Sequence, residues 1–425
     1  MDAAFAETIE TATLGTCDAS SVEPDASAVG VSIVMPCLNE IQSLPHCITN
    51  AKDALGLIAA RYGLTGEIVV ADNGSTDGSQ GLAVRLGARV ALVDERGYGA
   101  ALIGGAKAAR GRYILMGDCD GSYDFTEGAA MIGALIDGSA VCMGSRFAGG
   151  IAPGAMPWKN RWIGNPALTG VLNLFFRTGI DDAHCGLRAL TKEAFEALDL
   201  RGTGMEFASE MVIKAALRGL PMTQVPATLS ADLRDRAPHL RPWRDGWRHL
   251  RYLLMLSPPW VFGVPALVMV AASCVLLGIA GLDAMGTLSA PWLGDYWTLL
   301  GTALLGIGHT CGLMAIVGTI AGVRGGYARP GRAYRAMRKV VTLETMIAAA
   351  LTLVAAGGVV LTTVVADWAG RDFGQAASVA PVAFGTLLLT LGMQSLFGGF
   401  LMAIVGGHEA SFLRVPDARG SARAS

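Results

Sequence analysis

The stretch RYILMGDCDGSYDF, Arg112 to Phe125, is an apolar run that breaks at its end into two aspartates two positions apart. The run fits a buried strand and the break fits a turn at its carboxyl end. Runs of the same kind precede and follow it: VSIVMP (31–36), EIVVA (67–71), ARVALV (88–93) and AVCMGSRF (140–147), with PMTQVPATL (221–229) as the last. Helix-patterned segments rich in Ala and Leu lie between them. This alternation predicts a Rossmann-like α/β domain with a mainly parallel sheet covered by helices. Ligands of such sheets bind beyond the carboxyl ends of the strands, which is where functional residues are to be sought.

Three of those ends are acidic. They read Pro36-Cys37-Leu38-Asn39-Glu40, Asp72-Asn73-Gly74-Ser75-Thr76-Asp77 and Asp118-Cys119-Asp120-Gly121-Ser122. Like charges gathered on one edge repel, so the pattern makes little structural sense without a cation. Two carboxylates at a DxD spacing can reach one hard divalent ion, Mg²⁺ or Mn²⁺, which completes its shell with water or substrate phosphates. Such an ion neutralises a departing diphosphate. Asp118 and Asp120 are therefore the candidate metal ligands. Gly97-Tyr98-Gly99 lacks the third glycine of a dinucleotide fingerprint and follows the third strand, so nicotinamide chemistry is disfavoured. Gly97 and Gly99 instead let a helix begin close to a sugar nucleotide or to the sheet.

Composition changes character past the middle of the chain. Of 425 residues 52% are hydrophobic and only 16% charged, below the roughly 25% usual for soluble domains. Four apolar stretches, 258–282, 297–323, 345–366 and 380–405, each have the ~20 residues that cross a bilayer core. They predict an all-α membrane domain of four helices. The loop RGGYARPGRAYRAMRK (324–339) carries six cations. By the positive-inside rule it is cytosolic, as then is the region before Pro258. The expected location is the cell (inner) membrane, multi-pass, with the α/β domain in the cytosol. Charge splits as −5 before Pro258 (23 Lys and Arg, 28 Asp and Glu) and +3 after it (10 and 7), which disfavours a nucleic-acid binder. Eight cysteines without a CxxC pair read as reduced, mostly buried thiols. Expected boundaries are a disordered acidic extension at 1–29, the α/β domain at 30–232, a juxtamembrane helix at 233–257, the membrane domain at 258–410 and a cytosolic tail at 411–425.

Taken as a set, VSIVMPCLNE, VVADNGSTD, GYGAA, MGDCDGSYDF, MGSRF, DAHCGLRAL and GMEFASEM resemble the landmarks of inverting family-2 glycosyltransferases with the GT-A fold. The likeness is to membrane-bound polyprenyl-phosphate (dolichol-phosphate-type) mannosyl- or glucosyltransferases and spans about half the chain. It implies transfer of a hexose from a nucleotide-diphosphate sugar to a polyprenyl phosphate with inversion. It also implies that Glu40 and Asp72 hold the nucleoside, with Pro36, Leu38, Asn39, Asn73, Gly74, Gly97, Gly99 and Cys119 around the nucleotide sugar. Asp118 and Asp120 take the metal and diphosphate. Relatives often have a Gln where this chain has Ser122. A lipid phosphate is already ionised and needs cations more than a general base. Arg146 and Arg161 resemble the family's phosphate-binding arginines, Asn165 stands where Ser is usual, and Arg234, Arg236 and Arg241 are candidates for a further contact. Arginine suits phosphate through its planar fork.

RPWRDGWRHLRYLLM (241–255) is expected to be an interfacial helix, with Trp243, Trp247, Leu250 and Leu254 on one face and Arg244, Arg248 and Arg251 beside them. The apolar stretch 166–176 is expected next to it. His184 and His309 read as structural. Two other functions stay open at this point: a processive polysaccharide synthase, although the Arg161-Trp162 pair lacks the preceding Gln of that class, and a non-catalytic lipid carrier or flippase partner. Homo-oligomerisation is also left open.

Overall fold

Seven strands form one sheet in the computed structural model, which describes residues 29–234, 242–287, 295–374 and 378–407. In chain order they are β1 (Val31–Cys37), β2 (Gly66–Asp72), β3 (Arg89–Leu92), β4 (Tyr113–Met116), β5 (Val141–Ser145), β6 (Arg188–Thr191) and β7 (Met222–Pro226). Their spatial order is β3-β2-β1-β4-β6-β5-β7. Every pairing is parallel except those of β6, which runs antiparallel to β4 and β5. The sequence reading did not anticipate β6: four residues with an arginine at their head carry almost no strand signal.

β1 shows why parallel strands read as unbroken apolar runs. Ile33 and Met35 point to one face of the sheet, where the Leu44–Tyr62 and Gly128–Ile136 helices cover them. Val34 points to the other, beneath the Tyr98–Ala108 and Phe207–Arg218 helices. All three are fully buried, each such side chain contributing roughly 1.5–3 kcal/mol by leaving water. Register sets the height of the strand ends. Cys37 lies beside Asp72, and Val34 beside Met116, so two more residues of β4 bring Asp118 level with Pro36. The acidic ends of β1, β2 and β4 thus emerge on one edge.

Four apolar helices follow: Pro259–Asp283, Asp295–Arg324, Leu343–Gly370 and Ala380–Gly406. They coincide with the four expected spans, and the second and third run a few residues longer at both ends. Small residues let them approach closely. A Cβ at Gly357 would stand 2.8 Å from the Gly385 carbonyl oxygen, and one at Gly392 2.9 Å from that of Ala350. Gly301 and Gly308 are crowded in the same way, a Cβ there meeting Leu277 at 2.8 Å and Val270 at 2.9 Å. His309 is bonded between helices, its Nδ1 2.9 Å from Gln394 Oε1 and its Nε2 3.3 Å from Ser395 Oγ. The basic loop reaches back to the α/β domain: Arg329 donates to the carbonyls of Ala216 and Leu217 at 2.5 Å each. That loop and the α/β domain therefore share one side of the bundle.

The juxtamembrane helix, Pro242–Met255, packs on the α/β domain beside the Asn165–Phe176 helix. Its buried side carries His249 and Leu253, while Trp247 and Met255 are exposed. Residues 1–28 and 408–425, and with them Cys17, lie outside the described residues. So do Arg236, Arg241 and the Trp243 side chain. Among the described cysteines none is bonded to another, and five are buried; Cys274 is exposed on the first span.

Candidate active site

A cavity of about 580 Å³ opens at the carboxyl edge of the sheet. The β1 end supplies Pro36, Cys37, Leu38 and Glu40, the β2 end Asn73, and the β4 end Asp118, Cys119 and Asp120. Arg96, Gly97 and Tyr98 come from the entry to the Tyr98–Ala108 helix, and Gly204 and Met205 from the loop before Phe207. Arg234, Arg244 and Arg248 close the cavity from the segment that leads to the membrane.

The β4 end is held in place by its neighbours. Tyr98 donates its hydroxyl to Asp118 Oδ1 at 2.8 Å. Ser122 donates both its backbone N–H (3.0 Å) and its hydroxyl (2.6 Å) to Asp120 Oδ1. Burial, then the charge of Asp120, pushes the Asp118 carboxyl up to about 6. Arg234 lies across the gap. Its guanidinium donates to Asp120 Oδ2 at 2.8 Å, to Asp232 at 2.9 Å and to Glu40 Oε1 at 3.4 Å. Its Nε is buried with no partner among the described residues. A Cβ at position 186 would sit 2.4 Å from Asp118 Oδ2, so Gly186 is what leaves room for that carboxylate.

The β1 and β2 ends are stapled from within. Asp72, nearly fully buried, accepts from the Gly74 and Ser75 amides and from Gln80 Nε2 at 2.7 Å. Asn73 donates to the Val93 and Glu95 carbonyls and accepts from Gly97 N–H at 2.8 Å. Asn39, at φ +58°, accepts from Thr76 N–H. The glycines of the helix entry answer to close approach. A Cβ at Gly97 would lie 2.1 Å from the Thr203 oxygen, and one at Gly99 2.1 Å from that of Gly202. They admit the 202–204 loop, which in turn brings Met205 to the cavity.

Of the residues expected from sequence, Pro36, Leu38, Glu40, Asn73, Gly97, Asp118, Cys119, Asp120 and Arg234 converge on this cavity. Asn39, Asp72, Gly74 and Gly99 do not line it; they shape the loops that do. Arg146, Arg161 and Asn165, expected around an acceptor phosphate, stand apart from it. Arg146 is buried and donates to both oxygens of Asp182, at 2.6 and 2.7 Å, which neutralises its charge. Arg161 lies over the Trp162 ring on an exposed turn, and Asn165 Nδ2 rests 3.4 Å from Met156 Sδ. The sequence reading missed Arg96, Tyr98, Gly204 and Met205 as lining residues. Tyr98, Gly204 and Met205 sat inside motifs already singled out, GYGAA and GMEFASEM, which was the available signal.

Two residues of the DAHCGLRAL motif are placed as well. His184 Nε2 is 3.4 Å from Ser209 Oγ, which is 2.9 Å from His249 Nδ1 on the juxtamembrane helix. Burial first, and the neighbouring His249, hold the His184 imidazole well below its usual range, so it stays neutral. Arg188 heads β6, fully buried, with Nη2 2.5 Å from the Cys185 carbonyl and the guanidinium 5.8 Å from the Phe207 ring centre.

Among the described residues no three metal-type side chains cluster. Two carboxylates alone make a hard-cation site only when a ligand supplies further oxygens, which is the usual state of Mg²⁺ beside substrate phosphates. Asp118 and Asp120 fit that condition. They do not fit a self-sufficient protein cage.

Comparison with known proteins agrees with this geometry. Residues 32–199 match the model of glycosyl transferase family 2, and residues 316–406 that of the glycosyltransferase family 2 C-terminal transmembrane region. The low-salt glycan biosynthesis hexosyltransferase Agl6 of Haloferax volcanii is 33% identical over 88% of this chain and 89% of its own length. A dolichol-phosphate mannosyltransferase of Pyrococcus furiosus is 27% identical over 53% of this chain and 63% of its own. Among solved structures, a glucosyl-3-phosphoglycerate synthase of Mycobacterium tuberculosis covers 53% of the chain and 79% of its own at 21% identity, with a TM-score of 0.41. With a mostly parallel seven-stranded sheet followed by four apolar helices, the chain belongs to glycosyltransferase family 2, as a membrane hexosyltransferase whose GT-A domain precedes its transmembrane region.

Proposed function

We propose that the protein transfers a hexose from a nucleotide-diphosphate sugar to a polyprenyl phosphate, with inversion, at the cytosolic face of the cell membrane. The GT-A domain would span 30–232, the juxtamembrane segment 233–257 and the membrane domain 258–410. One observation carries the reading: the cavity that holds Asp118 and Asp120 is closed by arginines of the segment entering the first span. Donor chemistry and membrane entry meet in one place.

The nucleoside would lie along Pro36, Leu38, Glu40 and Asn73, with Asp72 fixing the β2 loop beneath it. Asp118 and Asp120 would hold a divalent cation, Mg²⁺ or Mn²⁺, which when bound offsets the charge of the leaving diphosphate. Tyr98 keeps the Asp118 carboxylate oriented, and Ser122 does the same for Asp120. A phosphate oxygen of the lipid attacks the anomeric carbon from the face opposite the diphosphate. The bond to the diphosphate oxygen breaks as the new C–O bond forms, and the electron pair leaves with the nucleoside diphosphate. The acceptor oxygen is already ionised, so no general base is required. Arg234, bridging Glu40 and Asp120, stands between the donor and acceptor sides and can follow charge from one to the other.

The test is incubation of the full-length protein with radiolabelled UDP- and GDP-sugars and polyprenyl phosphate, with and without EDTA. Label should enter the organic phase as a single-sugar lipid, and chelation should stop it. Absence of any glycolipid rejects the reading, and a long water-soluble polymer made from nucleotide sugar alone would replace it with a processive synthase.

A further inference from the structure

We infer that a second cavity, where the α/β domain meets the ends of the first two membrane helices, binds an anionic phospholipid of the surrounding leaflet. It holds about 560 Å³, within the ~300–1,000 Å³ usual for small-ligand sites. It shares no lining residue with the cavity of Asp118 and Asp120. Phe175 and Arg177 enter it from the end of the Asn165–Phe176 helix, and Gly219 from the end of the Phe207–Arg218 helix. Trp260 comes from the start of the first span, and Tyr327 and Arg329 from the basic loop. The spans set the height of the cavity. The first begins at Pro259 and the second ends at Arg324, so Trp260 and Tyr327 lie where apolar helix gives way to polar chain. That is the level at which aromatic rings meet lipid headgroups.

The chemistry of the walls selects the ligand. Phe175 and Trp260 are stacked, their ring centres 5.3 Å apart and their planes 25° from parallel, which makes one wall apolar. Two exposed arginines make the other cationic: Arg177, just past its helix, and Arg329. Arg329 is held where it stands. Its Nε and Nη2 donate to the Leu217 and Ala216 carbonyls, and a Cβ at Gly219 would come within 2.9 Å of Nη2, so the glycine admits the guanidinium. Carbonyl groups at a helix end carry only partial charge, so these bonds fix the position of Arg329 and leave most of its positive charge. Among the described residues no Asp or Glu lines the cavity. An apolar wall beside two cations suits a molecule with an apolar body and an anionic head, and the guanidinium fork suits a phosphate. A free anion would leave the stacked rings in water, and a zwitterionic lipid would bring its ammonium to the arginines. The adjoining Arg332–Val340 helix exposes Arg332, Arg335, Arg338 and Lys339, which draw anionic lipid toward the same face. A phospholipid in this cavity would touch the α/β domain, the first span and the basic loop together, and so fasten the catalytic domain to the bundle.

The experiment uses the full-length protein in nanodiscs of phosphatidylcholine with a minority of phosphatidylglycerol, without donor or acceptor, and counts the lipids that stay bound by native mass spectrometry. Wild type should retain phosphatidylglycerol in about tenfold preference to phosphatidylcholine. Arg177→Gln should lower that retention about tenfold, and adding Arg329→Gln should lower it about tenfold again. Arg177 is exposed, so its variant should keep the wild-type melting temperature, which separates loss of lipid from loss of fold. Arg335→Gln with Arg338→Gln, on the basic helix but off the cavity, should leave retention near wild type. No preference for phosphatidylglycerol in wild type overturns the proposal, as does unchanged retention in the Arg177 and Arg329 double variant. An equal loss in the Arg335 and Arg338 variant also overturns it, by reducing the effect to general surface attraction. Displacement of the lipid by excess inorganic phosphate would make this a free-anion site, and its displacement by undecaprenyl phosphate would give the cavity to the acceptor; either result rejects a phospholipid site. Retention is read without turnover, so a wild type that makes no glycolipid rejects the transferase reading and leaves this result standing.

Discussion

Arg146 and Arg234 were expected to serve one phosphate, yet they meet carboxylates in opposite ways. Arg146 faces Asp182 alone: two side-chain hydrogen bonds, one charge against one, with side chains 9% and 0% exposed. Arg234 is divided among Glu40, Asp120 and Asp232, its Nε is buried with no partner among the described residues, and it borders the cavity. A closed pair of equal charges belongs to the fold, because separating it strands a buried ion. An arginine spread over three carboxylates at the edge of a cavity can give up one contact and keep the others. The lesson is that burial and partner count, not motif position, separate a bracing arginine from a working one.

Four measurements would break or sharpen this contrast. The largest effect is expected for Asp182→Asn, which should cost about 3–5 kcal/mol of stability by denaturant unfolding; an unchanged midpoint with a raised acceptor KM would make Arg146 a ligand after all. Next, Asp120→Ala should lower turnover about 10²–10³-fold, as loss of a group that stabilises transition-state charge does, with little change in melting temperature. Near-wild-type glycolipid synthesis would remove the cation assignment and the open half of the contrast together. Gly99→Ala should destabilise by about 1–3 kcal/mol, because the new methyl meets the Gly202 carbonyl at 2.1 Å. If unfolding is unaffected, the 202–204 loop moves freely and Met205 is not held at the site. Smallest, Tyr98→Phe should reduce kcat/KM about tenfold by freeing Asp118, with KM for the lipid unaltered. A change confined to the lipid KM would move Tyr98 to the acceptor side.

Much of this molecule could be read one residue at a time. Five of the strands announce themselves as apolar runs, since parallel strands bury both faces, and PMTQVPATL marks a sixth. β6 could not be read this way: it spans four residues, and its Arg188 is buried where burial of a charge is least expected. The acids of the site were legible because parallel strands all end on the same edge, so sequence order alone gathers Glu40, Asp118 and Asp120. Asp72 and Asn73 were legible as tip residues, although their side chains turn out to secure the loops. The surroundings of the arginines were not legible. Arg146 needed its Asp182 partner to be interpreted, and Arg244 and Arg248 needed the direction in which their helix is turned.

The amino-acid sequence by itself determined four membrane crossings, a sheet with acidic strand ends, and an amphipathic helix between them. Each of these follows from local periodicity, run length or strand direction, which a chain carries wherever it folds. Tertiary structure alone decided which cations face the acids. That choice depends on packing: Leu253 and His249 sink into the α/β domain, and the helix turns Arg244 and Arg248 into the cavity. Residues more than a hundred positions apart become neighbours only when buried surfaces fit, and no count of charges along the chain contains that fit.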